Sequence, residues 1–168
     1  MASGAFFDYT TALRLAPLIT ASATLTFAGN QQWIFELFTR ADLAPQSKTF
    51  LPAWFRAAFW IGMPKLAGLA AASALGGVLN LRGGAGLAGA SGAWTWYAGG
   101  AVLAAAHVLF VPALVVRAEG VVGDGSGEGR CLREMKGWLR VNALRTLTVD
   151  AGAWVCFLVA AVKTLGPA

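Results

Sequence analysis

Four long apolar stretches limit the possible folds of this chain more than any other feature. They run over about residues 13–38, 54–79, 94–116 and 138–162. Each is long enough to cross about 30 Å of hydrocarbon at about 1.5 Å per residue. A chain inside lipid must satisfy its backbone N–H and C=O groups internally, which favours helices. The sequence therefore predicts an all-α fold, a four-transmembrane-helix bundle that forms a single integral membrane domain over residues 1–168.

The composition of the chain agrees with a lipid environment. Of its 168 residues, 57% are hydrophobic and 12% are charged, which is about half the charged fraction of an ordinary soluble domain. Trp54, Trp94 and Trp138 lie at the ends of apolar stretches, where aromatic side chains favour the membrane interface. A soluble helical bundle with an unusually apolar core is the alternative, and the length of the four stretches argues against it.

Positive charge is unevenly distributed over the connecting segments. Segments 39–53 and 117–137, with the adjoining helix ends, hold eight Lys and Arg residues, and the opposite side holds three. The positive-inside rule then predicts that both segments face the cytoplasm. The expected membrane is that of the endoplasmic reticulum or a related endomembrane. The net charge of +5 does not indicate a nucleic-acid partner, because the basic residues form no stripe interleaved with aromatic residues.

Polar residues inside the apolar stretches are the candidates for function, because ionisable groups are costly in lipid. Trp138, Asn142 and Arg145 share one face of the fourth helix at about 100° per residue, whereas Asp150 lies further round that helix. We predict that this face lines one polar cavity shared by the helices. Candidates for the same cavity come from the other stretches: Asn30, Gln31, Glu36, Trp60, Lys65 and His107.

These residues also have structural explanations. Asn142 can hydrogen-bond across helices without any further role. Arg145 can pair with Glu36 or with Asp150, and a lone intramembrane histidine is often a satisfied core residue. Several ionisable residues at similar depth nevertheless favour a functional cavity.

The side chains available as metal ligands are too few for several cofactors. A di-iron carboxylate centre needs several Glu and paired His residues, and copper or zinc sites generally need more than one His or Cys ligand. The chain has one histidine, His107, and two cysteines that form no C-x-x-C motif. Bis-histidine haem is excluded too, while a single haem with one axial histidine stays open. We expect neither a metal nor another cofactor.

The segment "GWLRVNALRTL" at the start of the fourth stretch resembles the W-x-x-x-N-x-x-R signature of a small four-span membrane family, the fungal anthrone oxygenase-like (noranthrone monooxygenase-like) proteins. The second stretch, "LPAWFRAAFWIGMPKLAGLAAASALGGVLN", is similar to the second helix of that family, and the length and the four spans are similar as well. The resemblance implies that an anthrone-type aromatic polyketide is oxidised to a quinone by O₂ without metal or flavin.

For that reaction the sequence suggests roles for the polar residues. Arg145 and Asn142 are expected to stabilise an enolate oxygen, and His107 or Lys65 to act as general base. The expected partners are a lipophilic aromatic substrate, O₂ and the lipid bilayer, and a homo-oligomer is left open. The expected substrate contacts are Trp138, Asn30, Gln31, Glu36 and Trp60.

The alternative belongs to another class of protein. It is a non-catalytic membrane module that binds a lipophilic ligand or stabilises a partner protein, in which Arg145, Asn142 and Glu36 form an internal polar clasp. A carrier is less favoured, because four spans without inverted repeats are few for a transporter.

Overall fold

The computed structural model describes residues 8–82, 92–123 and 129–165, and these ranges form four long helices. The predicted all-α four-helix fold is confirmed: every helix is long and apolar enough to cross a membrane, as in an integral multi-pass membrane protein. No strand occurs within the described ranges. The helices are α1 (Tyr9–Leu37), α2 (Ala44–Arg82), α3 (Ala93–Val122) and α4 (Arg130–Leu165).

The helices extend beyond most ends of the predicted spans. α2 begins at Ala44, so the predicted connecting segment 39–53 is wrong from residue 44 onward. Pro45 lies in the first turn, where a missing N–H is tolerated, and Leu51 and Phe55 form a buried face one turn apart. The helix therefore continues past the lipid-spanning stretch, because its inner face still has a core to pack against.

The predicted connecting segment 117–137 is also shorter in the structure. α3 continues to Val122 and α4 begins at Arg130. Most of the glycine-rich part, residues 124–128, lies outside the described residues.

A proline in α1 is compensated by a side chain of α2. Pro17 has no N–H, so the carbonyl of Leu13 loses its helical partner. Asn80 donates from Nδ2 to that carbonyl at 2.9 Å. Gly76 allows the close approach, since a Cβ at this position would lie 3.2 Å from the Pro17 Cβ. The helices are thus joined without leaving a backbone carbonyl unpaired in lipid.

Pro112 changes the winding of α3. It cannot donate to the carbonyl of Val108, which instead accepts from the N–H of Val111. The turn His107–Phe110 is a 3₁₀ helix, with α-helix before and after it. His107 is thus the first residue of a tightened turn in the middle of the bundle.

A π-helical turn at Thr146–Asp150 shifts the inner face of α4. In a continuous α-helix Asp150 would lie roughly 140° round from Arg145 at 100° per residue. The wider turn rotates it back, so both side chains are buried, and Phe157 continues the buried face. The prediction that Asp150 lies further round the helix is therefore wrong.

Each helix packs against its neighbour in sequence, and α4 also packs against α1. One apolar cluster is built on the rings of Phe35, Phe55 and Trp138, whose centroids lie 5.1 to 5.6 Å apart in edge-to-face contacts. A second cluster contains Tyr97 and Phe157. The buried side chains of His107, Asn142, Arg145 and Asp150 lie between these two clusters along α3 and α4.

Candidate active site

A buried chain of three ionisable side chains joins α3 to α4. His107 Nδ1 lies 2.8 Å from Asp150 Oδ1, and Arg145 Nε donates to Asp150 Oδ2 at 3.2 Å. None of these side chains is more than 8% exposed. A buried carboxylate needs a counter-charge, which the guanidinium provides. Asp150 therefore holds both the imidazole and the guanidinium in place.

This geometry determines which nitrogen of His107 can react. A carboxylate paired with a guanidinium only accepts hydrogen bonds, so in the neutral ring the proton belongs to Nδ1. Nε2 then carries the lone pair, and it has no hydrogen-bond partner within residues 8–82, 92–123 and 129–165. A histidine oriented by a carboxylate in this way is suited to act as a general base.

His107 also lines an apolar groove between α2 and α3. Its part of the groove, the His107 section, has a volume of about 480 Å³, within the range of small-molecule sites. Six alanines line this section, and among the residues that the structure describes His107 is the only polar one in its wall. Leu75 and Val108 in the wall are exposed, so the groove opens on the lipid-facing surface. A lipophilic molecule can therefore reach the imidazole from the bilayer.

The groove continues into a second part, the Arg56 section, with a volume of about 360 Å³. Met63 lines both sections, so they adjoin. The wall of the Arg56 section includes Arg56, Glu119 and Trp60, whose side chain is 70% exposed. The Arg56 section is thus the more polar end of the groove.

Two alanines separate the carboxylate of Asp150 from the groove. Ala70 and Ala104 line the His107 section and also a small internal cavity of about 10 Å³ at Asp150. Asp150 does not line the groove itself. Of the three linked ionisable residues, only His107 is therefore in contact with the groove.

A second polar contact joins α4 to α1. Asn142 Nδ2 donates to Gln32 Oε1 at 3.0 Å. Within the described ranges, four buried side-chain atoms lack a hydrogen-bond partner, which is costly in a protein interior. The four atoms are Gln31 Oε1, Trp138 Nε1, Asn142 Oδ1 and Arg145 Nη2.

Arg145 and Asn142 do not line either section of the groove, so their expected contact with an enolate stays a prediction.

Three of the predicted cavity residues lie elsewhere. Lys65, Asn30 and Glu36 are exposed, and none of them lines either groove section. The expectation of one cavity shared with His107 is corrected for these three residues, and also for Gln31 and Trp138, which line neither section. Whether any of them contacts a substrate stays a prediction.

The partner of Arg145 is Asp150, which the sequence left as one of two alternatives. Asp150 and Gln32 were not among the predicted site residues. The need of Arg145 for a counter-charge pointed to Asp150 or Glu36, but the five-residue spacing from Arg145 to Asp150 requires the π turn. No rule of helical periodicity predicts such a turn, and nothing in the sequence distinguished Gln32 from its neighbour Gln31.

Within the part of the chain that the structure describes, no three His, Cys, Asp or Glu side chains are grouped so that they could hold a metal ion. The expected absence of metal and cofactor stays a prediction.

Comparison with known proteins gives three relatives of nearly full length. Epoxidase pydX of Acremonium sp. is 33% identical over 157 residues, which cover 91% of this chain and 94% of that protein. Epoxidase gkaX of Penicillium citrinum is 31% identical over 160 residues, with the same coverage. Probable epoxidase scpX of Mollisia scopiformis is 29% identical over 153 residues, which cover 91% of this chain and 96% of that protein. No family model matches the chain, and no solved structure matches it.

Proposed function

The chain belongs to the family of these fungal epoxidases, and from that premise we propose that it is a membrane-embedded oxygenase of fungal secondary metabolism that oxidises a lipophilic substrate with O₂. The observation that carries this proposal is the placement of His107. Its ring is bonded to a buried Asp150–Arg145 pair on one side and lines an apolar groove on the other. A base is thereby held next to a site that a membrane-soluble molecule can enter.

The proposed reaction begins with the transfer of a proton to His107 Nε2. A phenol or an activated C–H group of the substrate loses this proton and becomes an electron-rich anion. Asp150 stabilises the imidazolium that forms, and Arg145 holds Asp150 in position through its hydrogen bond. The anion then reduces O₂. His107 is the catalytic residue in this scheme, and Asp150 and Arg145 are positioning residues.

The first candidate substrate is the anthrone-type aromatic polyketide that the sequence resemblance implies. Its methylene group loses two hydrogens and becomes a carbonyl. One atom of O₂ enters that carbonyl and the other leaves as water, so the reaction balances without an outside electron donor. We propose this cofactor-independent form because His107 supplies the proton transfer that it needs.

The second candidate reaction is epoxidation, which the names of the relatives favour. One atom of O₂ is added to a carbon–carbon double bond. The other atom becomes water only if two electrons and two protons are supplied, for example by a nicotinamide-dependent reductase. The requirement for a donor therefore separates the two candidates.

The experiment uses the protein purified in lipid nanodiscs, incubated under ¹⁸O₂ with an anthrone or with a lipophilic polyene. Each substrate is tested with and without NADPH and a reductase, and metal and haem are measured in the same sample. The anthrone reaction is expected to consume O₂ without donor, and ¹⁸O is expected in the product. Binding of either substrate without O₂ uptake in any condition would favour the non-catalytic module instead.

Replacing His107 tests its role. His107→Gln is expected to lower kcat by about 10²- to 10⁴-fold, the usual contribution of a positioned base. Full activity of this variant would remove His107 from the mechanism.

The groove itself is tested by a matched pair of substitutions in α2. Ala71→Trp fills the His107 section and is expected to raise KM at least tenfold. Ala72→Trp is also on the exposed surface but does not line either groove section, so it should leave KM unchanged. Equal effects of both variants would mean that substrate does not enter between α2 and α3.

We also propose that segments 39–53 and 117–137 face the cytoplasm of an endomembrane. The excess of basic residues at these segments supports this orientation. Thr49 and Arg133 are exposed positions at this side of the bundle. In sealed microsomes, cysteines introduced at Thr49 and Arg133 should react with an impermeant maleimide without detergent. Labelling that requires detergent would contradict the orientation.

A further inference from the structure

The Arg56 section combines apolar walls with two opposite charges. Phe59, Trp60 and Met63 supply apolar surface, and Arg56 and Glu119 line the same section. Both charged side chains are exposed. Neither takes part in an ion pair within residues 8–82, 92–123 and 129–165.

Some of the other ionic groups at this side of the bundle are paired. Arg117 Nη1 donates to Glu134 Oε2 at 2.8 Å, and Arg40 Nε donates to Asp42 Oδ1 at 3.0 Å. Arg56 and Glu119 differ from these pairs because they line one section of the groove with opposite charges and do not pair with each other. A guanidinium donates hydrogen bonds and a carboxylate accepts them, so together they complement a head group that has both an acceptor and a donor.

The distance between the two sections indicates the length of a ligand that contacts both. His107 and Glu119 are separated by 12 positions along α3, which is roughly 18 Å at about 1.5 Å per residue. Between them the groove continues past Met63, which lines both sections. One molecule can thus contact the imidazole with its apolar part and the two charges with its other end.

We propose that the Arg56 section binds the polar end of the substrate, which is an elongated amphiphile with its head group about 18 Å from the carbon that reacts at His107. The head group carries a carbonyl-type acceptor for Arg56 and an O–H or N–H donor for Glu119. This inference rests on the proposed function for the His107 end of the groove.

A small molecule fits this groove better than a protein helix. The sections measure about 480 and 360 Å³, within the range of sites for single small ligands, whereas a helix with its side chains is about 10–12 Å wide. A lipid tail matches the alanine-rich His107 section but does not account for two opposite charges at the other end. The charges therefore favour a ligand with its own polar group.

The experiment measures binding rather than turnover. Two photoreactive probes have the same alkyl chain, of extended length matching the groove, with a diazirine at one end. The other end is a primary amide in one probe and a methyl group in the other. After irradiation of the protein in nanodiscs, cross-linked positions are mapped by mass spectrometry. The amide probe is expected to label the lining of the His107 section at least fivefold more than the lining of the Arg56 section. The methyl probe is expected to label the two sections without this preference.

Variants then test the two charges. The double variant Arg56→Leu/Glu119→Leu is expected to lose the preference of the amide probe. The exchange Arg56→Glu/Glu119→Arg keeps one charge of each sign and should retain it. Arg140→Leu removes an exposed cation outside both sections and serves as the control.

The outcomes separate this inference from the proposed function. Identical labelling by both probes, or labelling unchanged in the double leucine variant, would overturn the head-group site even if the enzyme oxidises substrate. A head-dependent pattern in a protein that consumes no O₂ would support the site and contradict the oxygenase.

Discussion

Asp150 is the residue whose replacement tests the buried cluster most directly. Asp150→Asn keeps the size of the side chain and removes its charge. The guanidinium of Arg145, of which 1% is exposed, is then left in the bundle without a counter-charge. Breaking a buried ion pair by removing one partner typically costs about 3–5 kcal/mol in the free energy of unfolding. We expect a loss of this size.

Removal of the other partner should be less damaging. Arg145→Met leaves the Asp150 carboxylate, but His107 Nδ1 is still 2.8 Å away and remains its hydrogen-bond partner. Within the described part of the chain, no comparable group is bonded to Arg145 when Asp150 is replaced. We therefore expect Arg145→Met to cost at least about 1 kcal/mol less than Asp150→Asn, because the carboxylate keeps a charge-assisted hydrogen bond.

The double variant Arg145→Met/Asp150→Asn completes the cycle. It should cost less than the sum of the two single changes, because a buried pair replaced by uncharged groups of similar volume is often tolerated. The assay is unfolding of the purified protein in mixed micelles, titrated with SDS and followed by helical circular dichroism. Purified yield and helix content before titration show that each variant is folded at the start.

An exposed carboxylate in an ion pair provides the control. The guanidinium of Arg40 lowers the pKa of Asp42 through their hydrogen bond, yet both side chains are more than half exposed. Asp42→Asn is expected to leave the unfolding transition unchanged, since exposed pairs contribute little. Wild-type stability of Asp150→Asn, or equal losses for Asp150→Asn and Arg145→Met, would refute the assignment of a coupled cluster.

Three further predictions concern the helices. Deletion of Leu147, an exposed residue in the π turn, should convert that turn to α-helix and preserve the buried face. Purified yield and helix content should therefore stay near wild type. Deletion of the exposed Leu158 should instead rotate the end of α4 and lower both the yield and the helix content. Gly100→Ala would place a Cβ 2.5 Å from Phe157 Cε1 and should cost about 1–3 kcal/mol on SDS unfolding, with partial recovery on adding Phe157→Leu. Asn80→Leu removes the hydrogen bond to α1 and should cost about 1–3 kcal/mol in the same assay; a loss within error would contradict a structural role for that bond.

The four spans could be predicted from the sequence because hydropathy over about 20 residues is a local property. The ends of the helices could be predicted less accurately than the spans. α2 begins at Ala44 and α4 at Arg130 because inward-facing residues there pack on other helices, and that packing is a tertiary effect. The polar residues of the fourth helix were also found by local reasoning, since an arginine in an apolar stretch is costly wherever it lies.

What only the tertiary structure decided is how those polar residues meet. The π turn brings Asp150 onto the face of Arg145, and the 3₁₀ turn before Pro112 begins at His107, which contacts the same carboxylate. Lys65 has an equally apolar sequence context but lies on the exposed surface. Depth in the membrane follows from position along a span, whereas direction depends on helix rotation, which is set by contacts between residues far apart in the chain.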